Sequence, residues 1–130
     1  MFIPLEKNAV VEYSLLSDTS DSKTIFKLGY LNSRQKAALT ILSKKATKQT
    51  EEDSLWWFPI VKLGVRGWTN INKADGTPYE FKSEKLIVTG FGEFDAMNDE
   101  CFEAFSLDIV AELAMKLYEI NYIPDTEKKT

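Results

Sequence analysis

The stretch WWFPIVKLGVRGWTNINKADGTPYEF, residues 56–81, contains all three tryptophans of the chain, two of its four prolines and three of its six glycines. The chain changes state twice within it. Just upstream, Thr50 followed by Glu51, Glu52 and Asp53 is a helix-start pattern: a hydroxyl cap, then acids where the helix dipole favours them. Trp56, Trp57, Ile60, Val61 and Val65 recur at the three- and four-residue spacing of one helical face. Pro59 interrupts that face, because inside a helix proline removes a hydrogen bond and crowds the preceding turn. The segment is therefore expected to kink there or to be two short pieces. Gly64 is placed to stop it in a left-handed C-cap. Beyond it, Trp68, Ile71, Tyr79 and Phe81 flank Asp75-Gly76, a strong hairpin signal. The expectation is a helix, a glycine stop, then a central β-hairpin carrying Trp68.

The indole rings allow two readings. Each buries a large apolar area, so core packing explains them. Trp and Arg are also favoured interface anchors, which makes Trp56, Trp57, Arg66 and Trp68 the candidate partner-binding residues.

Towards the N-terminus, residues 9–16 and 24–28 have strand composition, and the polar loop SDTSDS at 17–22 joins them as an N-terminal β-hairpin. Residues 29–32 turn the chain, and Asn32 or Ser33 can cap a helix running to about Lys45. Ala37, Ala38, Ile41 and Leu42 form its apolar stripe. Residues 46–49 read as a polar joint. Towards the C-terminus, KLIVT at 85–89 reads as a strand. Gly90-Phe91-Gly92 follows, but Asp95 stands where a dinucleotide fingerprint needs its third glycine. Residues 70–76 resemble a calcium loop only superficially, since Lys82 occupies the position of the bidentate glutamate. Residues 98–105 suggest a short helix. Ser106 then caps a C-terminal amphipathic helix with Asp108 in its first turn and Val110, Leu113, Ala114 and Leu117 as its stripe, ended by Asn121 and Pro124. The class expected is α+β: an N-terminal β-hairpin, a central β-hairpin and about four helices. The 130 residues fit a single domain, with 1–8 and 125–130 as loose ends.

The chain has no histidine and one cysteine, Cys101. Histidine-based triads and His-ligated zinc are excluded, no histidine can activate the thiol, and no intramolecular disulfide can form. Catalytic, cofactor-binding and metal-binding residues are therefore expected to be none, and no small-molecule substrate is expected. Sixteen basic against twenty acidic residues give a net charge of −4, with no concentrated positive surface for nucleic acid. No apolar run approaches bilayer-spanning length and no signal peptide is visible, so the expected place is the cytoplasm. The charge is unevenly distributed. Residues 31–50 carry Arg34, Lys36, Lys44, Lys45 and Lys48 and no acid, whereas residues 86–115 carry Glu93, Asp95, Asp99, Glu100, Glu103, Asp108 and Glu112 and no base. Two solvated helix faces explain this. So does a dipolar molecule that docks a charged partner or copies of itself.

The order of the N-terminal strands and their Ser/Asp-rich loop, LGVRGW at 63–68, Asn70, Asp75-Gly76, Phe81 and a last helix ending Tyr118-Glu119-Ile120-Asn121 resembles small proteins encoded among the tail genes of tailed bacteriophages. Some of those are described as tail assembly chaperones. The resemblance covers most of residues 10–121 and is most specific at 63–76. It implies a non-enzymatic protein in the cytoplasm of the infected bacterial host, assisting tail assembly by binding phage tail proteins such as the tape measure. A minor structural component of the virion and a small inhibitor of a host protein are the alternatives.

Overall fold

The computed structural model describes residues 4–6, 9–50 and 57–123. Its elements run β1 (Val10–Tyr13), β2 (Ile25–Gly29), α1 (Ser33–Thr50), α2 (Trp57–Gly64), β3 (Val65–Thr69), β4 (Ser83–Val88), β5 (Gly92–Met97), a 3₁₀ helix (Asp99–Ala104) and α3 (Leu107–Tyr122). The expected α+β class is what the chain adopts. β1, β2 and β3 form one antiparallel sheet in that order, and β4 and β5 form a second, two-stranded sheet.

The N-terminal hairpin pairs Val10 with Gly29 through Tyr13 with Phe26. Its polar loop closes on Asp18, whose carboxylate accepts from the Ser20 and Thr24 backbone N–H groups and the Ser20 hydroxyl. Those bonds favour the ionised form and lower the Asp18 pKa. Trp68, however, does not sit in a hairpin around Asp75-Gly76. Its strand, β3, pairs with β2, placing Trp68 opposite Phe26. The Asp-Gly turn does form, with Gly76 at φ 88° and its N–H donating to Lys73 O at 2.9 Å. Its arms meet at a single bridge, Asn72 to Pro78. Lys73 N–H donates to Thr77 O at 2.8 Å and Tyr79 N–H to Ile71 O at 2.7 Å on either side of it. The long central hairpin is instead β4–β5, turned by Gly90 at φ 88° with Phe91 N–H donating to Val88 O at 2.9 Å. Only glycine takes that conformation without strain, so the Gly-Phe-Gly run is turn chemistry.

α1 and α3 begin where side chains close the first turn. Asn32 Oδ1 accepts from Gln35 N–H at 2.8 Å while Gln35 Oε1 accepts from Asn32 N–H at 2.9 Å, a reciprocal capping pair at the start of α1. α1 continues through residues 46–49, the expected joint, because Ala, Lys and Gln are good helix formers. α1 is described as far as Thr50, and the expected helix start through Glu51, Glu52 and Asp53 lies outside the described residues. α2 is described from Trp57 to Gly64 with Pro59 inside it, and the residues before Trp57, where the helix was expected to start, lie outside the described residues. Ser106 Oγ accepts from Ile109 N–H to start α3, and Val110, Leu113, Ala114 and Leu117 are buried as the pattern predicts.

Gly64 is not a left-handed cap. Among the described residues positive φ is found at Asn70, Gly67, Gly76, Gly90 and Gly92, and α2 runs straight into β3. Gly64 is a notch: a Cβ there would lie 2.5 Å from Cδ2 of Leu117, a side chain with no exposed surface. This lets α2 lie hard against α3, while α2 also touches α1, β3 and β5. Ile60, Val61 and Leu63 of α2 join Phe26, Leu28, Met97, Leu113 and Leu117 in the core.

Three polar clasps lock the layers. Lys62 Nζ donates to Glu84 Oε1 at 2.5 Å, Asp99 Oδ1 at 2.7 Å and Met97 O at 2.9 Å, tying α2 to the second sheet and the 3₁₀ helix. Burial works against its charge, but the two carboxylates outweigh it and raise the Lys62 pKa. Asn121 Oδ1 accepts from Leu31 N–H at 2.7 Å and its Nδ2 donates to Gly29 O at 3.3 Å, pinning the end of α3 to the β2–α1 turn. Glu112 Oε2 accepts from the Tyr13 hydroxyl at 2.5 Å and from Leu16 N–H at 2.7 Å, pinning α3 to β1.

Gly64→Ala is expected to lower stability by about 1–3 kcal/mol, the usual cost of overpacking, read from the urea midpoint. Burial, the Glu112 hydrogen bond and the Glu112 and Glu119 charges push the Tyr13 phenol from 10.0 up to about 12. The folded chain therefore keeps a proton the unfolded chain has lost, and Tyr13 contributes stability that is full below pH 10 and lost as pH rises towards about 12. Tyr13→Phe is expected to flatten the fall of stability with pH across that window. Equal slopes in urea titrations of both proteins would remove Tyr13 as the responsible group.

Candidate functional site

The residues singled out by the sequence go to separate places. Trp56 lies outside the described residues. Trp57 lies in α2, half-buried and packed against the core. Trp68 is enclosed by rings: stacked on Tyr79 at 5.8 Å and edge-on to Phe26, Phe81 and Phe105 at 6.2, 5.1 and 5.5 Å. Its indole N–H donates to Tyr79 O at 2.7 Å. The side chain is thus engaged within the fold over most of its surface.

Arg66 occupies a bulge. Lys27 pairs with Gly67 and Leu28 with Val65, leaving Arg66 as the extra residue of β3. A bulge re-aims the side chain at that point. The guanidinium crosses the face of Gly29, where a Cβ would lie 2.6 Å from its Cζ, so glycine at 29 makes its room. One amino group reaches Tyr30 O at 3.4 Å, while Nε is buried with no partner. Burial lowers the Arg66 pKa and the nearby Asp95 charge opposes that shift.

Arg66 lines a cleft of about 500 Å³ with Arg34, Lys85, Glu6, Glu93 and Asp95. The two charged segments of the sequence meet here. Arg34 from α1 lies 4.5 Å from the Phe94 ring centre and donates to Glu93 O at 3.2 Å. Lys85 pairs with Asp95 and, at 3.9 Å, with Glu93. Three cations face three carboxylates, so the cleft has no charge preference of its own.

Among the described residues a further apolar feature lies on α3, outside the residues singled out from the sequence. α3 carries a second stripe, Leu107, Ala111, Met115, Tyr118 and Tyr122, at spacings of four, four, three and four. Leu107 is 52% exposed, Met115 56%, Tyr118 44% and Tyr122 38%, with Ala111 half-buried between them. The Tyr118 and Tyr122 rings stack at 5.1 Å. Leu16, 85% exposed, is tied to the same helix by the bond of its N–H to Glu112. Lys36 Nζ lies 4.8 Å from the centre of the Tyr122 ring and donates to Asn121 O at 2.6 Å. The signal was present in the sequence as two interleaved helical series. A surface helix needs one apolar stripe, and α3 has two. Held rigid by Gly64, Asn121 and Glu112, the outer stripe offers shape and apolar area to another molecule. Among the described residues no helix is long and apolar enough to cross a membrane. Comparison with protein-family models, with curated proteins and with solved structures finds no match to the chain.

Proposed function

We propose that the chain is a non-enzymatic binding protein of a tailed bacteriophage, assisting tail assembly in the infected host cell by holding other phage proteins such as the tape measure. The observation that carries this reading is the outer stripe of α3: four exposed large apolar side chains in one helical row on a firmly braced element. A factor that keeps an aggregation-prone helical protein in solution needs such a row, because an amphipathic helix is recognised through apolar residues at three- and four-residue spacing. The resemblance in residues 63–76 adds the phage setting. Within the fold those residues act as scaffold: Gly64 is the helix notch, Gly67 flanks the bulge, and Gly76 makes the turn.

Co-expression with tape-measure fragments tests the proposal. The wild-type chain is expected to raise their soluble yield and to co-purify with them. Met115→Asp is expected to lose that effect at least tenfold while keeping the wild-type melting temperature, since the Met115 side chain is more than half exposed. Soluble yields that do not change with either protein overturn the reading. Recovery of the chain from purified particles by mass spectrometry replaces it with the virion-component alternative.

A further inference from the structure

We infer that the seam between the two sheets is a binding site for a free α-amino acid with an apolar side chain, its carboxylate met by Arg66, its ammonium by Asp95 and its side chain by the apolar wall beside them. The site is separate from the outer stripe of α3 and does not rest on the reading of that stripe.

The seam exists because the sheets do not join. β3 ends the first sheet, β5 borders the second, and the two strands lie beside each other without a ladder. A cavity of about 420 Å³ opens there, within the size range of small-molecule sites. Its apolar wall is Val10 from β1, Val65 from β3, Ala96 from β5 and Phe81 just before β4. Its polar groups are Arg66, Asp95 and Ser83. A cation, a carboxylate and a hydroxyl against an apolar wall match a zwitterion with an apolar side chain. A net anion meets Asp95, and a net cation meets Arg66, at like charge. A wholly apolar ligand desolvates both and replaces none of their hydrogen bonds to water.

Arg66 is set for an acceptor that the chain does not supply. The bulge aims it and Gly29 clears its path. Gly29 is the ladder partner of Val10, so the guanidinium crosses the sheet beside the Val10 part of the wall. A guanidinium carries five N–H donors. Here it reaches Tyr30 O at 3.4 Å, and its buried Nε has no partner. Buried donors are ordinarily bonded. A ligand carboxylate on the amino groups offsets that burial with charge-assisted bonds. The Asp95 charge acts on the same guanidinium. Asp95 is held by Lys85, and a carboxylate has about four acceptor positions, so an ammonium can join the lysine there. An α-amino acid carries both charged groups on one carbon, and so addresses a cation and a carboxylate that line one cavity. Asp95 is exposed, which leaves that end open to solvent.

Titration calorimetry of the full chain with L-leucine tests the site. Saturable binding in the millimolar range or tighter is expected for a ligand of this size. N-acetyl-L-leucine lacks the ammonium, L-leucinamide the carboxylate and glycine the side chain. Each is expected to bind at least about tenfold more weakly. Asp95→Asn is expected to weaken L-leucine by about the same factor without weakening N-acetyl-L-leucine, and Arg66→Gln to weaken L-leucine without weakening L-leucinamide. The exposed Asp95 keeps the test valid where Arg66→Gln disturbs folding. N-acetyl-L-leucine or L-leucinamide binding as tightly as L-leucine overturns the zwitterion site, and so does the absence of saturable binding up to about 50 mM. Met115→Asp is expected to leave the L-leucine affinity unchanged, and its loss in that variant overturns the placement in the seam.

Discussion

The close approach of α2 to α3 at Gly64 is the constraint on which the other placements depend. A glycine in the last turn of α2 lets the Leu117 side chain come where any other residue would hold it off. Once Leu117 is seated, Val110, Leu113 and Ala114 of the same stripe must also face inward, and burying the three larger side chains contributes about 1.5–3 kcal/mol each. The turn that carries Gly64 also carries Lys62, whose three hydrogen bonds set the second sheet and the 3₁₀ helix against α2. β3 leaves directly from Gly64, so the first sheet is positioned by the same contact. α2, eight residues long, is therefore the joint between every other layer of the fold.

Much of this was legible in the sequence, and the misses have identifiable causes. The N-terminal hairpin, the capped start of α1 at Asn32, and the inner stripe of α3 followed from composition and spacing, because local periodicity reports which face is buried. The misreadings came where a local signal had two uses. Asp75-Gly76 makes its turn, but strand pairing is decided by what lies across the sheet, and Trp68 found Phe26 there. Gly64 has the position of a left-handed stop, yet its use is steric and depends on a residue more than fifty positions away. At the surface, tryptophan content drew attention to residues 56–68, although composition does not show which way a ring points. Trp68 faces its own fold, while the tyrosines and Met115 of α3 face outward.

The division of charge along the chain is partly closed within the molecule. Arg34 reaches from the basic segment to the backbone and the Phe94 ring of the acidic one, and Lys85 answers Asp95 and Glu93 on the second sheet. Such exposed pairs contribute little stability each. Arg34 ties α1 to the β4–β5 hairpin, and Lys85 ties the two strands of that hairpin to each other.

A helix greasy on two sides carries a hazard of mis-seating. Adjacent residues of a helix point about 100° apart. An α3 rolled by that amount would offer Tyr118 to Gly64 in place of Leu117. A phenol ring is too long for a hollow shaped by a missing methyl, and the roll would also pull Asn121 from Leu31 and Glu112 from Tyr13. The notch therefore acts as a gauge: it admits one branched aliphatic side chain, and by doing so it decides which row of α3 is kept for the interior and which is left available to the outside world.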